Sequence, residues 1–263
     1  MSKRITTGLI LGAIILLCIY AGNRYTSHLL LAINILGAYE LSKMLRPALR
    51  TPEIYIHILL AVAPYFMLDL LGQSYPIYQI LLLISVVCSL GLIALLYVSK
   101  PFPYGKYSYV LAFLYWGLPF SLGSYYLLQA PASENIVALS VILLIWTSDT
   151  MAYFVGRRFG KTKLFESVSP NKTREGSLGA GLSIVAISAV IALLQHQSVL
   201  GWIAMGTVVW IAGTYGDLVE SKMKRVAMVK DSGRMLPGHG GFLDRFDSLV
   251  MVIPFLLLLA LYS

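Results

Sequence analysis

Long apolar stretches alternate with short polar breaks along the whole chain. The apolar stretches fall at about 5–22, 27–44, 54–72, 76–98, 107–130, 135–156, 176–196, 198–219 and 247–262. Most of them approach the roughly 20 residues that a helix needs to cross a bilayer. The pattern predicts an all-α, polytopic integral membrane protein with about nine transmembrane helices.

Composition supports this class and narrows the partners. Hydrophobic residues make up 58% of the chain and charged residues 12%, whereas soluble domains carry about 25% charged residues. The net charge of +8 would suit nucleic acid, but no basic face exists outside the loops, so no nucleic-acid partner is expected. Cys18 and Cys88 lie inside apolar stretches without metal-ligand spacing, which predicts neither a disulfide nor a zinc site.

The distribution of Lys and Arg orients the predicted helices. With a cytoplasmic N-terminus, nineteen of the twenty basic residues fall on the cytoplasmic side, and only Arg24 does not. We therefore expect a retained first span rather than a cleaved signal peptide, and two cytoplasmic loops at 157–175 and 222–246. Residues 1–134 are predicted to form scaffold helices, and residues 135–263 a catalytic region.

Acidic residues inside the predicted spans are candidates for function. Asp149 lies seven residues before Gly156, about 10 Å from the cytoplasmic end of its helix, and Asp217 lies at a comparable depth. Glu40 and Asp69 lie near span ends, and we interpret them as acids whose side chains reach the membrane interface.

Asp244 and Asp247 are three residues apart where the last span begins, so they share one helix face. Capping of the helix is the alternative role for Asp247. Together with Asp149 and Asp217 they predict carboxylates at one membrane face, a setting that suits a divalent cation.

Basic residues in both loops suit phosphate groups. Lys172 and Arg174 precede a helix N-terminus near Gly176, which favours anion binding. The alternative for this basic loop is attraction to anionic lipid headgroups. His239 lies between glycines. It could serve equally well as a general acid or base, as a hydrogen-bond donor to a phosphate or as a partner in a hydrogen bond within the loop.

The segment from Ser221 to Asp247 reads SKMKRVAMVKDSGRMLPGHGGFLDRFD. At every fixed position it resembles the signature of the phosphatidate cytidylyltransferase (CDP-diacylglycerol synthase) family, S-x-[LIVMF]-K-R-x4-K-D-x-[GSA]-x2-[LIF]-[PG]-x-H-G-G-[LIVMF]-x-D-R-[LIVMFT]-D. The segments WTSDTMAYFVGRRFGK and SPNKTREG resemble the second block of that family, whereas residues 1–134 resemble it only as a hydrophobic scaffold.

This resemblance implies that phosphatidic acid attacks the α-phosphorus of CTP and yields CDP-diacylglycerol and pyrophosphate, with Mg²⁺ or another divalent cation. It implies Asp217 and Asp244 as the metal-binding pair, and we add Asp149 as a further metal ligand. The expected catalytic residues are Asp217, Asp244, Lys230, Asp231 and Asp247. The expected phosphate contacts are Lys172, Arg174, Ser221, Lys224, Arg225, His239 and Arg245.

Three other functions are alternatives to this one. A CTP-dependent lipid kinase would use similar chemistry but lacks this signature, and the D-G-x2-A-R opening of the CDP-alcohol phosphotransferases does not occur in the chain. A transporter would place its acids near the midplane, whereas these acids lie near one face. The expected location is a bacterial inner membrane with the active site facing the cytoplasm; a homodimer is left open.

Overall fold

The computed structural model describes residues 2–71, 75–131, 133–238 and 240–262. Nine long helices make up most of that part of the chain, which confirms the all-α prediction. They are α1 Ser2–Ala21, α2 Asn23–Leu45, α3 Thr51–Leu70, α4 Tyr75–Leu96, α5 Tyr104–Gln129, α6 Glu134–Phe159, α7 Arg174–Leu194, α8 Val199–Val226 and α9 Asp247–Tyr262.

Six of these helices, α3 to α8, are long and apolar enough to cross a membrane. The helices α1 and α9 contain the shorter apolar stretches Ile5–Ala21 and Asp247–Leu261. The helix α2 is less apolar because it buries polar side chains such as Ser27, Asn34 and Glu40. The multi-pass membrane class predicted from the sequence is therefore confirmed.

The buried polar groups of α2 bind it to α3 and α5. The Asn34 side chain donates to the carbonyl of Ala61 at 2.9 Å, and the Trp116 indole donates to the carbonyl of Asn34 at 3.0 Å. A Cβ atom at Gly37 would overlap the Trp116 ring, so only glycine lets this indole reach α2. Hydrogen bonds of this kind make polar groups tolerable in a membrane interior.

The helices α6 to α9 pack against one another in chain order and bring the predicted site residues together. A Cβ atom at Gly216 would overlap the carbonyl oxygen of Asp247, so the start of α9 touches α8 one residue from Asp217. At Gly156, a Cβ atom would lie 3.0 Å from the Thr173 hydroxyl, which marks a similarly close approach of α6 and the segment before α7.

The segment between α6 and α7 forms a small antiparallel hairpin of β1 Lys163–Phe165 and β2 Ser169–Thr173. It packs beside the end of α8, where the Arg225 guanidinium donates to the carbonyl of Val168 at 3.4 Å. The two polar segments predicted as loops therefore meet at one end of the bundle.

The helix α8 continues to Val226, so residues 222–226 are helical and not part of a loop as the sequence pattern suggested. Lys224 pairs with Glu220 one turn earlier, and the Lys222 ammonium donates to the carbonyls of Leu95 and Val98 at the end of α4. These partners allow two cations to lie on a helix that starts in the membrane.

Labelling from the two sides of the membrane tests the predicted sidedness. In a background without Cys18 and Cys88, cysteines at Ser167 and Met228 should both react from the cytoplasmic side, because the hairpin and the end of α8 lie together. A cysteine at Gln195, which is exposed at the other end of α7, should react only from outside. Labelling of Ser167 and Met228 from opposite sides would contradict the shared site.

Candidate active site

Asp217 on α8 is held by one neighbour along the helix and one cation from the hairpin. Its Oδ1 atom accepts the Ser221 hydroxyl at 3.1 Å, as expected for residues four apart on a helix. Its Oδ2 atom forms an ion pair with Lys172, the next-to-last residue of β2. Both charged side chains remain partly exposed, at 27% for Asp217 and 30% for Lys172. The pair is therefore accessible to a ligand.

Asp149 on α6 and Asp247 at the start of α9 lie close enough to Asp217 for mutual electrostatic interaction. These three residues are called the acidic cluster. Lys172 interacts electrostatically with every member of the cluster, Arg245 interacts with Asp149, and Lys224 interacts with Asp247. The cluster therefore brings carboxyl oxygens from three helices together, and these are the ligands that a divalent cation prefers.

Asp244 lies in a short 3₁₀ turn, Leu243–Arg245, ahead of α9 and accepts several hydrogen bonds. The Lys224 ammonium donates to it at 2.6 Å, and the backbone N–H groups of Ser232 and Gly241 donate at 3.2 and 2.9 Å. Burial acts to raise the pKa of Asp244, but the hydrogen bond and charge of Lys224 outweigh it, so the pKa lies below its usual value. The group is an ionised carboxylate at neutral pH.

Two further acids belong to this region, and the sequence reasoning missed both. Glu220 is fully buried and forms an ion pair with the Lys224 ammonium, with 2.6 Å between Oε2 and Nζ. Glu40 on α2 is 3% exposed and accepts the Ser232 hydroxyl and the Leu243 N–H group. Its interpretation as an acid that reaches the interface is wrong, because protein atoms surround it. Asp69, by contrast, has an exposed side chain.

The sequence contains features that could have identified these two acids as members of the site. Glu220 precedes Lys224 by four residues, the spacing of a helical ion pair. Glu40 follows Gly37 by three residues on the buried side of α2, which also carries Leu41 and Met44. An acid on the apolar face of a helix is expected to have a partner inside the protein.

A pocket of about 220 Å³ lies between α1, α6 and the start of α9. Its charged wall consists of Asp149, Asp244, Arg245 and Asp247. A second pocket of about 160 Å³ adjoins it and shares the lining residues Ile15, Ile142, Phe246 and Leu249. The lining of the second pocket is almost entirely apolar. The two adjoining pockets together give a candidate site with a charged end and an apolar end.

Other predicted phosphate contacts lie apart from the acidic cluster. Arg174 begins α7 and lines a different cavity with Tyr97 and Trp210. The Arg225 guanidinium donates to backbone carbonyls of Val168 and Val229. The guanidinium group of Arg225 therefore serves at least in part to hold these backbone segments in place.

The segment between α8 and α9 carries the remaining candidates. Lys230 and Asp231 have exposed side chains, and Asp231 lies beside Gly240. Arg245 is exposed, lines the charged end of the pocket and interacts electrostatically with Asp149. His239 lies outside the described residues.

A divalent cation at this site would need oxygen ligands from the side chains around it. Across the described ranges, no three Asp, Glu, His or Cys side chains already converge as a ligand set. Mg²⁺ commonly takes only one or two carboxylates, and water and substrate phosphates supply the rest. The carboxyl oxygens of the acidic cluster fit that requirement in donor type.

Comparisons with known proteins identify the family of the chain. Residues 2–263 match the model of the "Cytidylyltransferase family". The chain is 33% identical over 276 residues to the phosphatidate cytidylyltransferase of Bacillus subtilis (strain 168), an alignment that covers 100% of this chain and 99% of the relative. It is 41% identical over 137 residues to the phosphatidate cytidylyltransferase of Staphylococcus saprophyticus, which covers 51% of this chain and 53% of that relative.

The chain therefore belongs to the cytidylyltransferase family, and the resemblance drawn from the signature segment is confirmed. The alignment with the Bacillus subtilis relative spans the whole chain, so it includes the apolar helices and both polar segments.

Proposed function

We propose that the chain transfers the cytidylyl group of CTP to phosphatidate with the help of a divalent cation, at the cytoplasmic face of a bacterial inner membrane. Its enzyme class is CTP:phosphatidate cytidylyltransferase, with CDP-diacylglycerol as the product, and this follows from the family and the full-length relative. The bacterial location is supported by the bacterial origin of the relatives. The homodimer stays a prediction.

The observation that carries the proposal is the pair of adjoining pockets, one with a charged wall and the other with an apolar lining. Phosphatidate has an anionic head and two hydrocarbon tails, and a site for it must contact both. Arg245 at the charged end supplies a cation for the head, and the adjoining apolar pocket accommodates tail atoms. Burial of hydrocarbon in such a pocket removes it from headgroups and water, which is favourable.

The reaction requires positioning of the substrates and neutralisation of their charge, and it does not require a strong base. An oxygen of the phosphatidate phosphate forms a bond to the α-phosphorus of CTP while the bond to the bridging oxygen of pyrophosphate breaks. The nucleophile is already ionised, so no side chain has to remove a proton from it. The main tasks of the protein are to hold two anions together and to stabilise charge on the leaving group.

Lys172 is assigned to the phosphates of CTP. In the described chain its ammonium neutralises Asp217 and faces the whole acidic cluster, where it is partly exposed. A phosphate oxygen is a strong acceptor for an ammonium group, so Lys172 can exchange one anionic partner for another with a small movement. Lys224, predicted as a phosphate contact, lies between Glu220 and Asp244, and we assign it to the support of Asp244.

Asp217 and Asp149, with Asp247 beside them, would hold the divalent cation. When bound, Mg²⁺ supplies positive charge that neutralises the triphosphate and the developing charge on pyrophosphate. Asp244 stays a predicted ligand, but its two oxygens accept hydrogen bonds from Lys224 and the backbone, and these bonds would have to rearrange.

The test uses purified protein with Mg²⁺ and CTP that carries radioactive phosphorus at either the α or the γ position. With phosphatidate, label from the α position should enter the lipid fraction together with cytidine, and γ label should leave as pyrophosphate. With diacylglycerol, no label should enter the lipid. Transfer of γ label to diacylglycerol would instead establish a CTP-dependent lipid kinase.

Lys172 and Arg157 provide a matched pair of basic residues for a second test. Lys172→Ala should lower kcat/KM by about tenfold or more, since it removes a charged hydrogen bond worth about 1.5–3 kcal/mol. Arg157→Ala should change it little, because Arg157 is exposed and donates to the Tyr153 hydroxyl on its own helix. Arg174→Ala, grouped with Lys172 by its sequence block, is measured alongside. Equal, small effects of all three changes would favour attraction to lipid headgroups.

A further inference from the structure

Glu40 lies on α2, within the part of the chain predicted to be scaffold, yet its carboxylate contacts the segment between α8 and α9. One oxygen, Oε2, accepts the Ser232 hydroxyl at 2.9 Å and the Leu243 N–H group at 2.6 Å. These partners follow Glu40 by 192 and 203 residues along the chain. Since the side chain is only 3% exposed, the contact is internal and not a surface tether.

Ser232 connects Glu40 to Asp244. The hydroxyl of Ser232 donates to Glu40, whereas its backbone N–H group donates to Asp244 at 3.2 Å. Leu243, the second donor to Glu40, is the residue immediately before Asp244. Both bonds to Glu40 therefore come from groups that fix the position of the Asp244 carboxylate.

Two glycines bring the backbone directly against these groups. A Cβ atom at Gly233 would overlap the Glu40 carboxylate, and one at Gly241 would overlap the Ser232 hydroxyl. The glycines therefore allow the segment to pack around Glu40 with no side chain between them. A carboxylate that is buried in this way and hydrogen-bonded specifies one arrangement of its partners, because each alternative would leave a buried polar group unsatisfied.

We propose that Glu40 is a positioning residue for the cytidylyltransferase reaction: it holds Ser232 and Leu243 in the positions that keep Asp244 at the charged end of the pocket. Glu40 acts through Ser232 and Leu243 and does not contact substrate. The proposal rests on the proposed function only for its activity readout; a second readout is independent of catalysis.

The test compares Glu40→Gln with Glu53→Gln in purified protein. Gln keeps the shape of Glu40 but loses its charge, so kcat should fall by roughly ten- to hundredfold, the range expected for lost hydrogen bonds to a charged group. Trypsin cleavage after Lys230 and Arg234, quantified by mass spectrometry, should accelerate because the segment is released. Glu53 starts α3 and contacts Arg50 and Arg46, so its change should alter neither readout.

Ser232→Ala supplies a variant that keeps the buried carboxylate and removes one bond to it. It should lower kcat and speed cleavage in the same direction as Glu40→Gln but less, and the double variant should resemble Glu40→Gln alone. Wild-type cleavage and kcat in Glu40→Gln would overturn the proposal, as would strictly additive effects of the two changes. A wild-type protein without cytidylyltransferase activity would instead reject the proposed function, and the cleavage assay would still decide the role of Glu40.

Discussion

Asp217→Asn is expected to lower turnover by about a hundredfold or more and to leave thermal stability near that of the wild type. The Asp217 side chain is 27% exposed and contacts Ser221 and Lys172, so asparagine fits its place and still accepts the Ser221 hydroxyl. The change removes the negative charge that orients Lys172 and attracts a cation. A hundredfold loss corresponds to about 2.7 kcal/mol of transition-state stabilisation.

Asp244→Asn is expected to lose turnover to a similar degree and also to lose stability. Asp244 accepts bonds from Lys224 and from two backbone N–H groups, and an amide can present only one oxygen to these donors. The lost charged hydrogen bond corresponds to about 1.5–3 kcal/mol. The double variant should be only slightly slower than either single variant, because groups that act as a unit are not additive.

Asp69→Asn is the control for both changes, since Asp69 is an exposed acid of α3 away from the site. Turnover is measured over a range of Mg²⁺ concentrations, and thermal unfolding is followed in the same detergent. Both active-site variants should need more Mg²⁺ for half-maximal activity. A folded Asp217→Asn protein with near-normal turnover at limiting Mg²⁺ would contradict the assignment.

Lys224→Met is expected to produce the largest loss of stability, about 3–5 kcal/mol. Lys224 is 11% exposed and lies between Glu220, which is fully buried, and Asp244, which is 10% exposed. Methionine replaces most of the aliphatic length but leaves two buried carboxylates without their cation. The cost of an uncompensated buried charge exceeds that of the lost attraction alone.

Unfolding midpoints in detergent measure this effect, with Lys161→Met as the control because Lys161 has an exposed side chain. The double variant Glu220→Gln with Lys224→Met should recover part of the lost stability, since it removes one of the two carboxyl groups that no longer have a cationic partner. Equal midpoints for Lys224→Met and Lys161→Met would show that Glu220 does not depend on this cation.

The helices could be predicted from the sequence because each one needs a long apolar run. Such a run can be recognised from the local sequence alone, without knowledge of the rest of the chain. The helical end of α8 could not be predicted from the sequence, because a run of charged residues is typical of a loop. Only the folded chain shows the partners of these residues. Lys222 binds carbonyls at the end of α4, more than a hundred residues earlier in the chain. The hairpin was also missed, since SPNKT in β2 lacks the alternation of apolar residues that marks a strand.

The candidate site was predicted in part for the same reason. The signature segment and the acids inside spans identified Asp217, Asp244, Asp149 and Asp247 as members of one region, and the structure brings them to one end of the bundle. Glu40 lies near the end of a predicted span, a position that favours an acid reaching the membrane interface. Its partners lie about two hundred residues away, and only the folded chain shows them.

The shared wall of the two pockets has a consequence for turnover under the proposed function. Substrate and product carry the same two acyl tails and differ only in the headgroup. Because Ile15 and Phe246 border both pockets, a lipid can react at its head while its tails stay surrounded by hydrocarbon. Neither binding nor release then requires a tail to cross water, a step that costs about 0.8 kcal/mol for each methylene.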